Sequence, residues 1–229
     1  MKQTWHDLLF SHWPFPPEQL RPLVPPQLSL DMFEGQCWIG VVPFWMSGVR
    51  PRLVPPLPGF SRFPELNVRT YVTYGGKPGV FFFSLDAANY PAVWAARKFF
   101  HLPYFHASMN STEHNVSILY SSRRPGGHAE FRASFRPIAP VHLAEKGSLA
   151  DWLTARFCLY TTHQGQIYRC EIHHLPWPLQ AAEAEFDRNT MAEAAHIALP
   201  NLPPLLYFSK RLEVLIWPLR RADEPDPRV

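Results

Sequence analysis

Three polar side chains, Glu65, Asn67 and Arg69, recur at every second position in a mainly apolar stretch, residues 63–72. The stretch is typical of a β-strand opened by a proline, and the side chains of a strand alternate between its two faces. Glu65, Asn67 and Arg69 therefore share one face with Tyr71, while the other face is an ordinary core face. A carboxyl group, an amide and a guanidinium in one row can bind an organic acid and exchange protons with it.

The chemistry of this polar row depends on where its face points. In a partly dry cavity, Arg69 would bind a ligand carboxylate bidentately. A desolvated Glu65 would have a raised pKa and could transfer protons. Ser84 and Asp86 share a face of the returning strand, and the hairpin pairing would set Asp86 opposite the row. The alternative is a solvated face, which is the usual meaning of alternating charges on a strand.

Other kinds of reactive site have no support in the sequence. It contains no GxSxG nucleophile elbow, no HExxH or HxH metal motif, no GxGxxG turn and no P-loop. His173 and His174 are adjacent, so on a strand they would point to opposite faces and could not simply share one ion. We therefore expect no metal and no cofactor.

Composition argues against nucleic-acid and membrane partners. The net charge is only +3, and the basic residues are scattered, with two arginines adjacent only at 123–124 and 220–221. The N-terminal residues lack the apolar core of a signal peptide, and no apolar run approaches the roughly 20 residues that span a bilayer. Cys37, Cys158 and Cys170 form no CxxC motif and are expected to be buried free thiols. We therefore expect a cytoplasmic protein.

Short strands with rigid connections must position the polar row. The 26 prolines predict many short elements, because proline is excluded from helix interiors and central strands. Residues 65–87 form a predicted β-hairpin around a turn at 74–79. The strand at 37–46 is apolar on both faces and should be buried on both sides, with Pro43 at a bulge or an edge. The proline-rich loop at 50–62 is either a lid or rim, or merely a rigid connection.

The rest of the chain predicts further strands and a few short helices. Helices are expected at 91–100 and, with Ser148 as N-cap, at 149–156. About ten strands predict a mainly β, single antiparallel barrel-like domain over residues 1–221, followed by a charged tail at 222–229. The other predicted strands lie at 5–13, 28–33, 114–122, 128–136, 157–162, 167–173 and 214–217.

Six stretches carry a specific pattern: 38–44 (WIGVVPF), 64–72 (PELNVRTYV), 83–87 (FSLDA), 102–107 (LPYFHA), 172–179 (IHHLPWPL) and 213–218 (EVLIWP). Together they resemble the YqjF-like family of uncharacterised bacterial proteins. The resemblance covers nearly the whole chain. It implies a bacterial origin, a β-rich fold like that of acetoacetate decarboxylase and a central cavity, and it implies no established activity.

The resemblance to acetoacetate decarboxylases lacks one essential residue. Those enzymes use a Schiff-base lysine in a Gly-x-Pro-Lys-Lys stretch, together with upstream carboxylates. The resemblance places Tyr104 and Phe105 where the paired lysines would stand, and Glu65 where an active-site glutamate stands. The nearest lysine, Lys98, lies in a predicted helix and is expected to be exposed. A Schiff-base mechanism needs an amine of lowered pKa, so acetoacetate decarboxylation is disfavoured.

The leading hypothesis is a cytoplasmic protein that binds a small, acidic organic molecule in a central cavity. If the protein is an enzyme, we expect non-covalent acid–base chemistry, such as a lyase or isomerase step on an oxo acid. The expected site consists of one candidate catalytic residue, Glu65, and five ligand-binding residues: Arg69, Asn67, Asp86, Tyr104 and His106.

Two other classes of function stay open. A non-catalytic carrier or sensor of an apolar molecule would have a cavity lined almost only by Phe and Trp. A structural or interaction protein would have a filled interior without a pocket. Exposed edge strands would also allow a homodimer.

Overall fold

Strands dominate the computed structural model, which describes residues 1–51, 55 and 61–224. The helices within these residues are α1 (Pro17–Leu20), α2 (Tyr90–Phe100) and α3 (Leu149–Thr154), with single 3-10 turns at Arg21–Leu23 and Glu193–Ala195. The strands are β1 (Lys2–Phe15), β2 (Ser29–Leu30), β3 (Cys37–Arg50), β4 (Phe63–Tyr74), β5 (Lys77–Ala87), β6 (Tyr104–His106), β7 (Ser108–His114), β8 (Ser117–Arg123), β9 (Glu130–Pro137), β10 (Cys158–His163), β11 (Gln166–His174), β12 (Gln180–Asn189), β13 (Leu205–Ile216) and β14 (Arg220–Arg221).

Strands β11, β10, β5, β4, β3, β1 and β13 pair in that order and close into a ring. The pairing of Ile172 in β11 with Ile216 in β13 completes the circle. Ring neighbours pair antiparallel except β10 and β5, which are parallel. Strands β12, β9, β8 and β7 continue from β13 as a second layer. The predicted fold class, mainly β with mostly antiparallel pairing and short helices, is confirmed.

The two faces of the ring bury separate apolar cores. The inner core includes Phe10, Val42 and Phe44. The outer core lies between the ring and the second layer, where Leu66 and Val68 belong to one cluster with side chains of β8 and β9. Strand β3 contributes to both cores, as its continuous apolar sequence predicted.

Two bulges adjust which side chains of the ring point inward. In the first, β1 uses one more residue than β3 between the pairs His6–Trp45 and Ser11–Val41. Asp7 lies in this bulge with a left-handed φ of 49°, and Pro43 lies opposite it, as predicted. The second bulge is in β5, opposite Val68 and Arg69.

The predicted hairpin and the predicted Ser148 cap are also confirmed. Gly75 and Gly76 join β4 to β5 with φ values of 57° and 77°, the conformation that a two-residue turn of this hand requires. Asn89 caps α2 by accepting a hydrogen bond from the backbone of Ala92. Ser148 caps α3 by accepting one from Asp151.

One predicted strand is wrong. Residues 114–122 are not a single strand, because a turn at Asn115 with a φ of 55° separates β7 from β8. Asparagine adopts this left-handed conformation more readily than most residues. The mainly polar side chains of β7 lack the apolar alternation by which a half-buried strand is recognised.

Two predictions fall wholly or partly on residues outside the described part of the chain. These are the proline-rich loop, of which residues 52–54 and 56–60 are not described, and the end of the charged tail at 225–229. The three cysteines are free and buried, as expected. Among the described residues, no helix has the length and apolar character needed to cross a membrane.

Candidate functional site

The ring encloses a cavity of about 210 Å³. Each ring strand contributes at least one lining side chain, and α2 covers part of the cavity with Ala92, Ala95, Ala96 and Phe100. An apolar cavity of about 150 Å³ can hold benzene. The space inside this ring is therefore suited to a molecule of benzene size or somewhat larger.

Strand β4 directs the polar row into this cavity. Glu65, Asn67 and Arg69 all line it, whereas Leu66 and Val68 point into the outer core. Glu65 and Asn67 are each only 4% exposed. The interpretation of the row as a solvated face is therefore wrong for these two residues.

Glu65 is buried beside a hydroxyl group and without a cationic partner among the described residues. The phenol of Tyr104 donates a hydrogen bond of 2.6 Å to its Oε2. Desolvation raises the pKa of Glu65 to about 8, the hydrogen bond from Tyr104 opposes this rise, and the Asp86 carboxylate adds to it. Glu65 is therefore protonated at neutral pH and can change its charge near pH 8.

Strand β6 and the second layer hold Glu65 in place. Strand β6 runs parallel to β5 with Tyr104 beside Leu85, which brings the Tyr104 hydroxyl to the Glu65 carboxyl group. From β8, the hydroxyl of Tyr120 lies 2.7 Å from the carbonyl oxygen of Glu65 and 2.9 Å from that of Phe44, and it can donate to either. Burial raises the pKa of both phenols well above their ordinary value, so both remain hydrogen-bond donors.

Arg69 brings a positive charge into an aromatic part of the cavity. Its Cζ lies 5.4 Å from the Phe10 ring centre and 5.8 Å from that of Tyr71. Its Nε is buried and has no hydrogen-bond partner in the described part of the chain. On the neighbouring strand, a Cβ atom at Gly40 would lie 3.3 Å from Arg69 Cγ and 3.1 Å from His12 Nε2. Glycine at position 40 therefore leaves room for Arg69.

A buried histidine holds the ring of Tyr71. Nε2 of His12 and the hydroxyl of Tyr71 are 2.6 Å apart. Burial, together with the charge of Arg69, lowers the pKa of His12 well below its ordinary value. His12 is therefore neutral, and the hydrogen bond fixes Tyr71 next to Arg69.

Arg156 lines the same cavity, and sequence reasoning missed it. The residue is 8% exposed and follows the C-terminus of α3. Its guanidinium stacks 4.2 Å from the Trp152 ring centre and 4.9 Å from that of Tyr71, and it forms an ion pair with Asp31. Its position at the end of a short helix, with no neighbouring polar pattern, gave no sequence signal for a site.

Two predicted site residues lie elsewhere. Asp86 does not share the face of Glu65, because the register sets it opposite Leu66. The bulge explains this: Val68 pairs with Ser84 but Arg69 pairs with Phe82, so Phe83 is an extra residue. The bulge directs Phe82 and Leu85 into the cavity and leaves Ser84 and Asp86 on the outer side.

Asp86 instead forms a buried ion pair with Arg124, whose Nε and Nη2 donate to one carboxylate oxygen over 2.8 and 2.6 Å. His106 is also misplaced by the prediction. It is exposed and contacts the Tyr90 ring at 5.8 Å, outside the cavity.

No lysine lines the cavity within the described residues, and Lys98 lies on the exposed face of α2. Tyr104, which the sequence resemblance placed where a Schiff-base lysine would stand, contacts Glu65 through its hydroxyl. The described residues contain no cluster of three or more His, Cys, Asp or Glu that could hold a metal ion.

A family model of uncharacterized conserved proteins, DUF2071, matches residues 2–213. The chain belongs to the DUF2071 family. "Uncharacterized protein YqjF" of Bacillus subtilis (strain 168) is 52% identical to this DUF2071 protein over 222 residues, which cover 96% of this chain and 92% of the relative. The resemblance to the YqjF-like family is thereby confirmed.

Solved structures similar to this DUF2071 protein include three enzymes. The enduracididine biosynthesis enzyme MppR matches with a TM-score of 0.67 and 10% identity, over 96% of this chain and 87% of that one. An acetoacetate decarboxylase from Legionella pneumophila matches with a TM-score of 0.63 and 13% identity, over 96% of this chain and 88% of that one. An acetoacetate decarboxylase-like enzyme from Sphingomonas wittichii RW1 matches with a TM-score of 0.65 and 13% identity, over 98% of this chain and 93% of that one. The chain therefore has an acetoacetate decarboxylase-like fold.

Proposed function

We propose that this DUF2071 protein binds a small organic acid inside the ring, with the ligand carboxylate on Arg69. The observation that supports this most strongly is the cationic Arg69 side chain, which lines an apolar cavity with Nε unpartnered in the described residues. Arg69 is half-buried, so its charge is partly desolvated without a counter-ion among the described residues, and a ligand carboxylate would offset that cost with charge-assisted hydrogen bonds.

Glu65 would act on the bound acid as a non-covalent proton donor and acceptor. Its pKa of about 8 lets it exist in both protonation states near neutral pH. With an oxo acid, ionised Glu65 would take a proton from the carbon next to the carbonyl group. Returning that proton to another atom of the enolate completes an isomerase step, whereas departure of a substituent completes a lyase step. Tyr104 would keep the Glu65 carboxyl group in position throughout the reaction by its hydrogen bond.

The comparisons support a small carboxylate ligand without identifying it. MppR, which shares the fold at a TM-score of 0.65 and 10% identity, has been solved in complex with pyruvate. A covalent route through a Schiff base has no lysine in the cavity of this chain within its described part. The ligand class is therefore inferred from MppR, whereas the chemistry is inferred from Glu65 and Tyr104 of this chain.

A second candidate function is a carrier or sensor of an apolar small molecule. It is favoured by the wall of the cavity, which apart from a few polar groups consists of aliphatic and aromatic side chains such as Val42, Phe82 and Ile172. A ligand held by this wall alone would not depend on Arg69.

The test is a thermal-shift screen of a metabolite library, confirmed by native mass spectrometry, with wild type and Arg69→Ala. Acidic metabolites should raise the melting temperature of wild type, and their shifts should disappear in the variant. Arg132→Ala, which changes an arginine with a 59% exposed side chain, is the matched control and should keep every shift.

Each outcome separates the two candidates. If acidic ligands stabilise wild type and Arg69→Ala equally, Arg69 is not the anchor and the proposal fails. If only apolar ligands shift the melting temperature, and the variant keeps those shifts, the carrier function is correct instead.

A further inference from the structure

Two arginines contact one tyrosine ring in the cavity. The Cζ atoms of Arg69 and Arg156 lie 5.8 and 4.9 Å from the centre of the Tyr71 ring. They come from different parts of the chain, Arg69 from β4 and Arg156 from beyond α3. Both line the cavity, and each has a buried nitrogen, Nε of Arg69 and Nη2 of Arg156, without a partner in the part of the chain that is described.

The charges of the two arginines are balanced differently. Arg156 forms an ion pair with Asp31, and its Nε also donates to the carbonyl of Trp152 over 2.6 Å. No ion pair of the described residues includes Arg69. The arginine pair and Asp31 therefore carry one surplus positive charge.

The histidines near the arginines do not add to this charge. His12 contacts Tyr71, and His174 lines the cavity. Burial lowers the pKa of both imidazoles, and the charge of Arg69 lowers each further. The surplus at this end of the cavity thus stays at one positive charge at neutral pH.

Asp31 is held at a position from which its carboxylate can offset the charge of Arg156. Its backbone N–H donates to the carbonyl of Tyr71 over 3.0 Å, next to the ring that both arginines contact. Its carboxylate binds Nη1 of Arg156, and its side chain is 19% exposed. Asp31 does not line the cavity, so it would act on a ligand only through Arg156.

We propose that Asp31 is a specificity-determining residue that, by pairing with Arg156, limits the cavity to ligands with a single negative charge. This rests on the proposed function and adds the charge of the ligand to it. A monocarboxylate would balance the surplus at the two arginines. A dicarboxylate bound at the two arginines would leave one carboxylate uncompensated at this end of the cavity, where the dielectric constant is low, which is strongly unfavourable.

The test compares butyrate with succinate, which have the same carbon chain and differ by one carboxylate. Affinities are measured by isothermal titration calorimetry at constant ionic strength and pH 6.5 for wild type and Asp31→Asn. Wild type should bind butyrate more tightly. Asparagine can still accept the hydrogen bond of Arg156, but the substitution removes one negative charge. The ratio of the succinate affinity to the butyrate affinity should therefore rise by about tenfold or more.

Two further variants keep the test decisive. The double variant Asp31→Asn/Arg156→Gln restores a single surplus positive charge and should restore the preference for butyrate. Arg156→Gln alone removes the surplus, so it should weaken butyrate by about tenfold relative to neutral butyramide. This single variant carries the test if Asp31→Asn proves unfolded by circular dichroism.

The failures are distinguishable. Suppose that butyrate binding requires Arg69 but the ratio of the succinate and butyrate affinities is the same in folded Asp31→Asn and in wild type. The role proposed for Asp31 is then wrong, and the proposed function stands. If neither acid binds wild type, or if binding survives Arg69→Ala, the proposed function fails and the role of Asp31 fails with it.

Discussion

Two buried carboxyl groups, Glu65 and Asp86, lie on adjacent strands but on opposite sides of the ring wall. Asp86 faces outward and accepts two hydrogen bonds from Arg124 at Oδ1, and the Ser122 hydroxyl donates to its Oδ2 over 3.3 Å. Glu65 faces the cavity, and its polar partner is the neutral phenol of Tyr104. Strand β6 serves both sites, because the next residue, Phe105, packs its ring 3.8 Å from the Arg124 guanidinium.

The difference between the two acids lies in their partners rather than in their burial. Desolvation raises the pKa of both. At Asp86 the guanidinium of Arg124 and the Ser122 hydroxyl oppose this rise, although the pKa stays raised, whereas at Glu65 only the Tyr104 hydroxyl opposes it and the pKa reaches about 8. A buried acid with a cation is suited to holding structure, and a buried acid without one is suited to exchanging protons.

The largest effect should come from removing the cation of the structural pair. Arg124→Met leaves the carboxylate of Asp86 buried and uncompensated, so we expect the free energy of unfolding to fall by roughly 3–5 kcal/mol. Urea denaturation followed by circular dichroism measures this. Arg123→Met changes the exposed neighbouring arginine and should have little effect. A loss below about 1 kcal/mol in Arg124→Met would mean that Asp86 is not held by this pair.

The next effect concerns the pH dependence of stability, which Glu65 should dominate. Its pKa is raised from 4.5 to about 8 on folding, so the folded state binds more protons than the unfolded state between these values. Stability should therefore fall as pH rises through this window, with a slope of up to about 1.4 kcal/mol per pH unit. Glu65→Gln should remove that slope.

Urea denaturation at several pH values measures the slope. Glu145→Gln, at an exposed position, should leave it unchanged. An equal slope in wild type and Glu65→Gln would assign the pH dependence to other groups and remove the distinction between the two acids.

A smaller effect is expected for Tyr104→Phe. The phenol stabilises the ionised form of Glu65, so its loss should raise the pKa of Glu65 further and lower stability by about 1 kcal/mol above pH 8. The readouts are the carbon-13 chemical shift of the Glu65 carboxyl group as a function of pH and the melting temperature. Tyr90→Phe, at a residue 66% exposed, should change neither. A lowered Glu65 pKa in Tyr104→Phe would contradict the assigned hydrogen bond.

The part of the site that was predicted correctly from the sequence follows from the alternation of side chains along a strand. The two-residue period of β4 is a local property, so the shared face of Glu65, Asn67 and Arg69 follows from the residues themselves. That this face points inward also depended on the apolar sequences of the neighbouring strands. The resemblance to the YqjF-like family supplied the fold and the position of Tyr104 beside Glu65.

The missed parts depend on geometry that has no local signal. A single extra residue, Phe83, reverses the face of Asp86, and such a bulge cannot be located from alternation alone. The ion pair of Asp31 and Arg156 spans 125 residues, so only the folded ring brings it to Tyr71. Sequence patterns describe faces of strands well, but they do not describe which distant side chains meet inside a closed sheet.

The protonation state of Glu65 can be measured directly by infrared difference spectroscopy of wild type against Glu65→Gln as a function of pH. A buried protonated carboxyl group gives a C=O stretching band that its ionised form lacks. We predict that the band is present in wild type at pH 6.5, disappears with a midpoint near pH 8 and is absent from the variant. Glu65 already ionised at pH 6.5 would contradict its role as a proton-exchanging acid in the cavity.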